Sequence, residues 1–437
     1  MKIAIAVLFI ITYILLLVLP KIKGYISIGM AALMTIIVVS VTASTERLDS
    51  FLSILNSIQW NALLVIIGMM GLIEIFTKSG MPSYLADSLV LHSKSPKGAI
   101  LLLAIFAGLI SAITDNVATV LMVVPIALTI CKKTNINPVA PIIAISISAN
   151  LQGAATLVGD TTCIMLANHL DLSFSDFFYI DGKLGMFFVV EISAIVATIL
   201  LGFLLPRYKG LKLPTITKTK VSYYYPTVIL LIMIVLLVAF SFIPIKNAIL
   251  ADLIQGIIVI AAMLICFIIN AFKSKNLKDT KDAIKNFDFT TILLLFGLFI
   301  IIGNVATVGI IEDIGNFFVK VSGGNAFALY SILVFGSVII SAFIDNIPYV
   351  ATMLPVISTI TTSLSIANPL VFYFGMLSGA TLGGNITPIG ASANITSLGI
   401  LQKEGHTVKP LTFMKYSVPF TLVAVLCGYG LVWAFYA

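Results

Sequence analysis

The sequence predicts an all-α polytopic membrane protein built from two related halves. Hydrophobic residues make up 60% of the 437 residues and charged residues only 10%, whereas soluble domains carry about a quarter charged residues. Mean hydropathy is +1.14. Apolar runs long enough to cross the hydrocarbon core recur along the whole chain, and one polar motif inside them occurs twice. Short alternating segments, which are typical of outer-membrane barrels, are not seen.

Ten apolar segments are candidate membrane spans, and we expect about 10–11 transmembrane helices. They cover residues 3–20, 25–43, 60–77, 138–168, 183–206, 225–243, 249–272, 289–308, 368–402 and 411–436. The first segment lacks a basic n-region and a small-residue cleavage site, so we expect a retained helix rather than a signal peptide.

Two further apolar segments are interrupted by an acid and an amide. They read SAITDNVATVLMVVP at 111–125 and SAFIDNIPYVATMLP at 341–355, with Asp115-Asn116 and Asp345-Asn346 at the interruptions. Each arm has about 15 residues and so about 22 Å of helix, which is short of the roughly 30 Å core. The pattern therefore predicts two re-entrant hairpins that each enter and leave on one side of the membrane.

The distribution of basic residues supports this topology. With both hairpins re-entrant and residues 207–224 cytoplasmic, twenty of the 25 Lys and Arg residues lie inside, in accordance with the positive-inside rule. The other five are Lys2, Arg47, Lys183, Lys246 and Lys320. The net charge of +7 is thus a topology signal rather than a nucleic-acid signal. We expect a multi-pass protein of the cell (cytoplasmic) membrane that contacts the lipid bilayer and no nucleic acid.

The two hairpins are part of a longer repeat. Six residues of 111–126 recur 230 positions later, and GAATLVGDTTCI at 153–164 matches GNITPIGASANI at 384–395 with an offset of 231. The predicted topology gives the halves opposite orientations, and the Gly- and Thr-rich stretches predict a broken helix in each. Inverted repeats with interrupted helices are a design of secondary transporters, which bind their substrates at the repeat interface near mid-membrane.

Unpaired backbone at membrane depth must be buried in protein or line a wet cavity. Four predicted breaks, at 114–117, 153–162, 344–347 and 384–393, could therefore frame one pocket of carbonyls, hydroxyls, amides and half-helix ends. Such groups suit a bare cation, whereas half-helix N-termini suit an anion or a polar neutral solute.

The strongest candidates in this pocket are the duplicated acids Asp115 and Asp345. A carboxylate inside the membrane is costly and is a functional hypothesis by default, although either acid could simply cap the following helix. Asn116 and Asn346 could bind a cation or solute through the amide oxygen, or could occupy a left-handed turn. We expect Na⁺, if it binds, at these four residues.

Other polar residues near the breaks are weaker candidates. Asp160 could serve as a ligand or as a helix cap, and its repeat partner is Ala391. The remaining candidates for ion or substrate binding are Thr156, Gly159, Thr161, Thr162, Asn385, Thr387, Gly390, Ser392 and Asn394. Any single hydroxyl among them could instead bond its own helix. Glu74, inside the third apolar run, could relay protons or lie at the interface.

These motifs resemble the ion transporter superfamily from about residue 25 to the end. The Asp-Asn pair followed nine residues later by Pro is similar to the hairpin tips of that superfamily, whose divalent anion/sodium symporters carry Ser-Asn-Thr there. The Asp-Asn form looks more like the branch of arsenite-efflux permeases, D-type Na⁺/H⁺ antiporters and the pink-eyed-dilution protein. GGNITPIGASANI at 383–395 is the most specific stretch for this branch.

The resemblance implies a homodimer in which a transport domain moves against a scaffold as an elevator. The scaffold would comprise residues 1–97 and 207–322. The transport domain would comprise residues 98–206, with a hairpin at 98–133 and a broken helix at 138–169, and residues 323–437, with a hairpin at 326–364 and a broken helix at 368–403. One difference from the branch is notable: its first broken helix often reads Gly-Asp-Pro-Pro-Asn, whereas residues 159–163 read Gly-Asp-Thr-Thr-Cys.

The sequence therefore favours an ion-coupled secondary active transporter and not an enzyme. It needs no cofactor, and either H⁺ or Na⁺ would serve as the coupling ion. Na⁺/H⁺ antiport or proton-coupled movement of a small solute such as arsenite is the preferred form. Na⁺-coupled symport of a dicarboxylate, sulfate or phosphate is the alternative, which is weakened because no arginine lies in the predicted pocket.

Two other classes stay open. A channel also uses re-entrant loops but would need no domain movement. An intramembrane aspartyl hydrolase would need two facing acids, and LVGD at 157–160 lacks the extra glycine of such enzymes. No nucleotide-binding motif is present, which argues against direct ATP drive within this chain.

Overall fold

The computed structural model describes residues 1–43, 45–206, 208, 218–243, 245–274 and 283–437, and these are almost entirely helical. The predicted cytoplasmic segment 207–224 and the predicted domain boundary at 207 lie partly outside the described residues. The helices of the first half are α1 (Lys2–Val18), α2 (Lys23–Val41), α3 (Arg47–Asn56), α4 (Trp60–Lys78), α5 (Met81–Leu91), α6 (Pro96–Ser111), α7 (Asn116–Thr134), α8 (Val139–Gln152), α9 (Thr161–His169) and α10 (Met186–Leu204).

The second half repeats this order of helices except at α3, whose aligned positions lie partly outside the described residues. It contains α11 (Tyr225–Ser241), α12 (Ala248–Ser274), α13 (Phe289–Thr307), α14 (Ile310–Ser322), α15 (Ala326–Ser341), α16 (Asn346–Ser363), α17 (Leu370–Gly383), α18 (Ser392–Lys403) and α19 (Pro410–Tyr436). The described β structure is one two-stranded antiparallel ribbon, β1 (Tyr179–Ile180) and β2 (Lys183–Leu184), in which Tyr179 pairs with Leu184.

Seven described helical segments are long and apolar enough to cross a membrane, which confirms the all-α polytopic class. They are Pro20–Val41, Arg47–Lys78, Asn116–Thr134, Met186–Leu204, Ala248–Phe272, Phe289–Thr307 and Pro410–Tyr436. The predicted count of 10–11 also includes helices of 17 residues, such as α1 and α11, and the two broken helices.

Both predicted helix breaks occur where the Gly- and Thr-rich stretches lie. Helix α8 ends at Gln152, a 3-10 turn follows, and α9 begins at Thr161. In the second half α17 ends at Gly383 and α18 begins at Ser392. The residues between these helices leave backbone groups outside any α-helix, and most of these residues are buried in protein.

The arms of both hairpins are longer than the sequence predicted. Helices α6 and α15 have 16 residues, α16 has 18 and α7 has 19. The difference arises because α6 starts early, at a Ser95 cap, and because α7 continues to Thr134 before its Asn135 C-cap. We name α6 with α7 hairpin 1 and α15 with α16 hairpin 2.

Helix packing follows the repeat. Helix α2 packs against α13, and α4 packs against α12. In the alignment of the two halves, α2 corresponds to α12 and α4 to α13, so each contact recurs with the halves exchanged. The pairs α6–α8 and α15–α17 correspond in the same way. The sequence did not predict the short helices α3, α5 and α14, of which α14 meets α15 at a bend of 118°.

Candidate functional site

Both Asp-Asn corners line one cavity of about 260 Å³. Nine of the predicted residues contribute to its wall: Glu74, Asp115, Asn116, Gly159, Asp160, Thr161, Asp345, Asn346 and Ser392. Hairpin 1, hairpin 2 and both broken helices therefore meet at one place. The cavity wall also contains Lys23, Asn150, Asn286, Asp288 and Thr291, which were not among the residues predicted from the sequence.

Asp115 caps the helix that follows it. Its Oδ2 accepts hydrogen bonds from the backbone N–H groups of Val117 (2.9 Å) and Ala118 (3.0 Å) at the start of α7. Both donors use the same oxygen. The capping interpretation is thus correct for the local structure, but it does not exclude a ligand because the residue is exposed to the cavity.

Asp345 caps α16 and also pairs with a lysine. One oxygen, Oδ1, accepts from the backbone N–H of Ile347 at 3.3 Å. The other, Oδ2, lies 3.0 Å from Nζ of Lys23, the first residue of α2. The side chains of Lys23 and Asp345 are 17% and 28% exposed, so water screens this ion pair less than it would a surface pair.

Asp160 joins the two halves. Its Oδ1 accepts from the backbone N–H of Thr162 at 3.2 Å and so caps α9. Its Oδ2 accepts from Nδ2 of Asn346 at 3.3 Å. The carboxyl group is buried, and it connects the first broken helix to the corner of hairpin 2.

The two corner asparagines do not occupy left-handed turns, so that alternative was wrong. Asn116 and Asn346 are the first residues of α7 and α16, and both are buried. Nδ2 of Asn116 donates to Oδ1 of Asn150 at 3.1 Å, and Asn150 donates in turn to the carbonyl of Thr381 at 2.9 Å. This chain of amides ties hairpin 1 to α8 and α17.

Thr156 and Thr387 lie behind the cavity and make equivalent contacts. The hydroxyl of Thr156 donates to the carbonyl of Ala112, just before the first corner. The hydroxyl of Thr387 donates to the carbonyl of Ala342, just before the second. Each broken helix is therefore fastened to the hairpin of its own half by a buried hydrogen bond.

Gly159 and Gly390 allow the same close approach in the two halves. A Cβ on Gly159 would lie 2.5 Å from the carbonyl oxygen of Gly153 and 2.8 Å from that of Ser111. A Cβ on Gly390 would lie 2.7 Å from the carbonyl oxygen of Gly384 and 2.8 Å from that of Ser341. Only glycine fits at either position without moving the backbone.

The other predicted residues support the cavity from behind. Asn394 is fully buried and donates to the carbonyl of Gly384 at 3.2 Å, while Ser146 donates to its Oδ1 at 2.7 Å. Asn385 donates to the carbonyl of Ile147 at 2.9 Å. Thr162 lies beside Thr381. Asn394, Asn385 and Thr162 connect the two broken helices and are not in the cavity wall.

Glu74 lies in the cavity wall but is occupied by two partners. Its Oε1 accepts from Nδ2 of Asn286 at 2.7 Å and lies 3.5 Å from Nζ of Lys78, one helical turn later. These contacts give it a structural role beside the predicted one in proton relay.

Lys23 and Asp288 were missed because both lie at helix starts next to loops. Lys23 was counted among the cytoplasmic loop charges, although it begins a helix, and a lysine in the first turn is unfavourable to the helix dipole. That anomaly was the available signal. Asp288 caps α13 through the backbone N–H of Thr291 at 3.0 Å. No signal marked Asn150 within its apolar run.

The electrostatics of the cavity favour a cation. Five acids line it, namely Glu74, Asp115, Asp160, Asp288 and Asp345, and Lys23 is the only basic residue among its described lining residues. Carboxylate and amide oxygens are suitable ligands for a hard cation. Among the described residues no group of three or more His, Cys, Asp or Glu side chains could hold a metal ion, so a cation here would rely on amides and carbonyls as well.

Comparisons with known proteins point to transporters. A family model described as citrate transporter matches residues 6–271 and 249–437. The chain is 28% identical over 409 residues to an uncharacterised transporter of Mycobacterium tuberculosis, with 89% of each chain covered. It is 23% identical over 452 residues to the P protein of Homo sapiens, with 87% of this chain and 54% of that protein covered.

Solved structures support the fold. The YdaH transporter of Alcanivorax borkumensis superposes with a TM-score of 0.61 at 16% identity, covering 89% of this chain and 88% of that one. MtrF of Neisseria gonorrhoeae, whose structure is described as illuminating a class of antimetabolite efflux pumps, gives a TM-score of 0.56 at 14% identity, with 89% and 83% covered.

Proposed function

The chain belongs to the citrate transporter family of membrane transporters, and from this premise we propose that it is an ion-coupled secondary active transporter whose coupling cation binds at the two Asp-Asn corners. The observation that carries the proposal is the position of Asp115 and Asp345 in one cavity. The two acids come from different halves of the chain. Local capping explains each acid, but it does not explain why the two converge.

The chemistry of the corners suits Na⁺ or H⁺. At Asp115 both capping N–H groups use Oδ2, and the cation would take the second carboxylate oxygen together with amide oxygens nearby. Binding would neutralise an intramembrane charge, whose burial is otherwise costly. In the proposed elevator mechanism the transport domain of each subunit of a homodimer moves through the bilayer. Neutralising the site lowers the free-energy cost of that movement.

The cavity would open to the cytoplasm. Lys23 begins α2, Asp288 precedes α13 and Glu74 lies near the end of α4. From the distribution of basic residues we expect all three of these helix ends on the cytoplasmic side. The structure would then correspond to an inward-facing state in which the coupling cation exchanges with the cell interior.

Two classes of transported substrate are candidates. The acidic cavity favours cation handling, by Na⁺/H⁺ antiport or by proton-coupled antiport of a small solute such as arsenite. Na⁺-coupled symport of an anion, such as a dicarboxylate, sulfate or phosphate, is supported by the description of the family and by Lys23, which places one ammonium group in the cavity. In the anion alternative Lys23 supplies a positive charge, since no arginine is among the described residues that line the cavity.

The proposal is tested by coupled flux in proteoliposomes. Asp115→Asn and Asp345→Asn should each reduce it to the level of empty liposomes, because the amide keeps the helix cap but cannot take up a cation's charge. Asp49→Asn, at an exposed residue of α3, is the matched control and should transport normally. Unchanged flux in both corner variants would reject the proposal.

The substrate is tested by adding candidates to the same preparations. Arsenite, phosphate, sulfate and dicarboxylates, together with citrate, each at two pH values, cover both alternatives. Antiport predicts a Na⁺ or arsenite gradient that drives H⁺ movement without any anion. Symport predicts accumulation of one anion only when Na⁺ is present.

A further inference from the structure

The ion pair between Lys23 and Asp345 is a charged contact between the start of α2 and the corner of hairpin 2. Helix α2, which begins with Lys23, packs against α13, α1 and α3. Asp345 is at the corner of hairpin 2, whose second arm packs against α14, α17, α9 and α13. Tyr13 of α1 also donates to the carbonyl of Pro348 in this arm, at 2.6 Å. The 3.0 Å ion pair is therefore one of several contacts between hairpin 2 and the helices that the proposed elevator mechanism assigns to the scaffold.

The two corners differ in their ion pairs. Among the described residues no ion pair involves Asp115, whereas Asp345 has Lys23 as its partner. The position that corresponds to Lys23 in the alignment of the two halves is Leu253. Because Leu253 is uncharged, the repeat does not explain the presence of Lys23, which pairs with the second corner only.

The charge of Lys23 lies in an unfavourable position that Asp345 stabilises. A positive side chain at the first residue of a helix is repelled by the positive end of the helix dipole, and this one is only 17% exposed. Asp345 compensates both costs. Charges that are partly buried keep much of their interaction in salt, so the pair is a substantial contact as long as Asp345 has no other cation.

We propose that Lys23 is an internal counter-cation of Asp345: its ammonium group occupies the carboxylate in the empty state, Na⁺ must displace it in order to bind there, and its displacement releases hairpin 2 from α2. This inference rests on the proposed function. It gives coupling a physical basis, because binding of the cation removes the charged contact among those that hold hairpin 2 against the scaffold. A single carboxylate oxygen, Oδ2, cannot hold both cations at full strength.

The first test measures Na⁺-dependent thermal stabilisation of the full-length protein in detergent, with choline replacing Na⁺ at constant ionic strength. Lys23→Gln removes the competitor, so the Na⁺ concentration that gives half of the stabilisation should fall by about fivefold, the size expected for loss of one ion pair. Lys23→Arg keeps the charge and should stay near the wild-type value. Lys21→Gln removes a neighbouring exposed charge and is the matched control.

The outcomes distinguish the role of Lys23 from the proposed function. If Na⁺ stabilises both the wild type and Lys23→Gln, and half of the stabilisation occurs at the same Na⁺ concentration in both, Lys23 does not compete with Na⁺. That result overturns the role of Lys23 and does not contradict the proposed function. Absence of any Na⁺ response in the wild type and in the variants rejects Na⁺ binding at the corners, and the role of Lys23 with it.

A second measurement uses the wild-type chain and so does not depend on whether Lys23→Gln folds. Amine acetylation by a water-soluble reagent, followed by peptide mass spectrometry, reports the access of each lysine. Na⁺ should increase modification of Lys23 at least about twofold, because the displaced ammonium group becomes free to react, and should leave the exposed Lys21 unchanged. Equal modification of Lys23 with and without Na⁺ would contradict displacement.

Discussion

Nδ2 of Asn346 donates to Oδ2 of Asp160 across 3.3 Å. The contact joins the corner of hairpin 2 to the first broken helix, and so it crosses between the halves of the chain. Because Asp160 has Ala391 as its repeat partner, the second broken helix cannot make the same contact with hairpin 1. Each corner thus has one asymmetric partner of its own, Asn150 at the first and Asp160 at the second.

Two substitutions of Asp160 separate capping from ion binding. Asp160→Asn keeps a good N-cap for α9 and an acceptor for Asn346, so stability should change by less than about 1 kcal/mol, while Na⁺ stabilisation and coupled flux should fall. Asp160→Ala removes both contacts and should lower the free energy of unfolding by about 2 kcal/mol relative to Asp160→Asn. Thermal unfolding and flux measured on the same preparations check both. Full flux in Asp160→Asn would reduce Asp160 to a structural residue.

The equivalent hydrogen bonds of Thr156 and Thr387 should have equivalent energetic effects. Thr156→Val and Thr387→Val each keep the side-chain shape but leave a buried carbonyl, that of Ala112 or Ala342, without its donor. We expect each to lower the free energy of unfolding by about 1–3 kcal/mol, measured by thermal or denaturant unfolding in detergent. Thr→Ser at the same positions should retain most of the stability. If only one of the two Thr→Val variants lost stability, the hydrogen bonds of Thr156 and Thr387 would not be energetically equivalent.

The close approach at Gly159 and Gly390 predicts that neither tolerates a methyl group. Gly159→Ala and Gly390→Ala should both lower stability by at least about 2 kcal/mol, because the clash is with backbone carbonyls that have little room to move. Gly336→Ala and Gly399→Ala are the controls. They lie in helices with open space around the added Cβ, so their stability should change by less than about 1 kcal/mol. Well-folded Gly159→Ala protein would contradict the packing described.

The proposed inward-facing state predicts one-sided access to the cavity. In a background without the four native cysteines, Asn286→Cys should react with a membrane-impermeant thiol reagent only from the cytoplasmic side, because Asn286 lies in the wall of the cavity and is exposed. Lys246→Cys, which the charge distribution predicts to lie outside, should react only from the other side. Right-side-out and inverted vesicles distinguish the two, and reaction of Asn286→Cys from outside would contradict the topology.

Much of the fold could be predicted because it is set by local rules. Apolar runs located α1, α2, α4 and the later spans, since only a helix satisfies its own backbone in lipid. Repeated Asp, Asn, Gly and Thr residues located both corners and both breaks. The arms of hairpin 1 were underestimated because their outer ends are set by caps, Ser95 before α6 and Asn135 after α7.

The partners of the corners could not be predicted because they come from distant parts of the chain. Lys23 is 322 residues from Asp345, and Asp160 is 186 from Asn346. Asn150 gave no signal because one polar residue in an apolar run often bonds only within the protein. Such contacts depend on how helices pack, and periodicity does not encode packing between distant helices.

The measurement that tests the central claim most directly is cross-linking between the two corners. In the same cysteine-free background, Val117→Cys and Ile347→Cys place one thiol beside each corner asparagine, in the wall of the cavity. Ile105→Cys with Phe335→Cys, at equivalent exposed positions on the first arms of the two hairpins, is the control pair. A bifunctional thiol reagent with a span of under about 10 Å, the size of a small-molecule cavity, should link the corner pair within one chain and leave the control pair unlinked, as read by peptide mass spectrometry. Absence of the corner cross-link in folded protein would contradict a shared site.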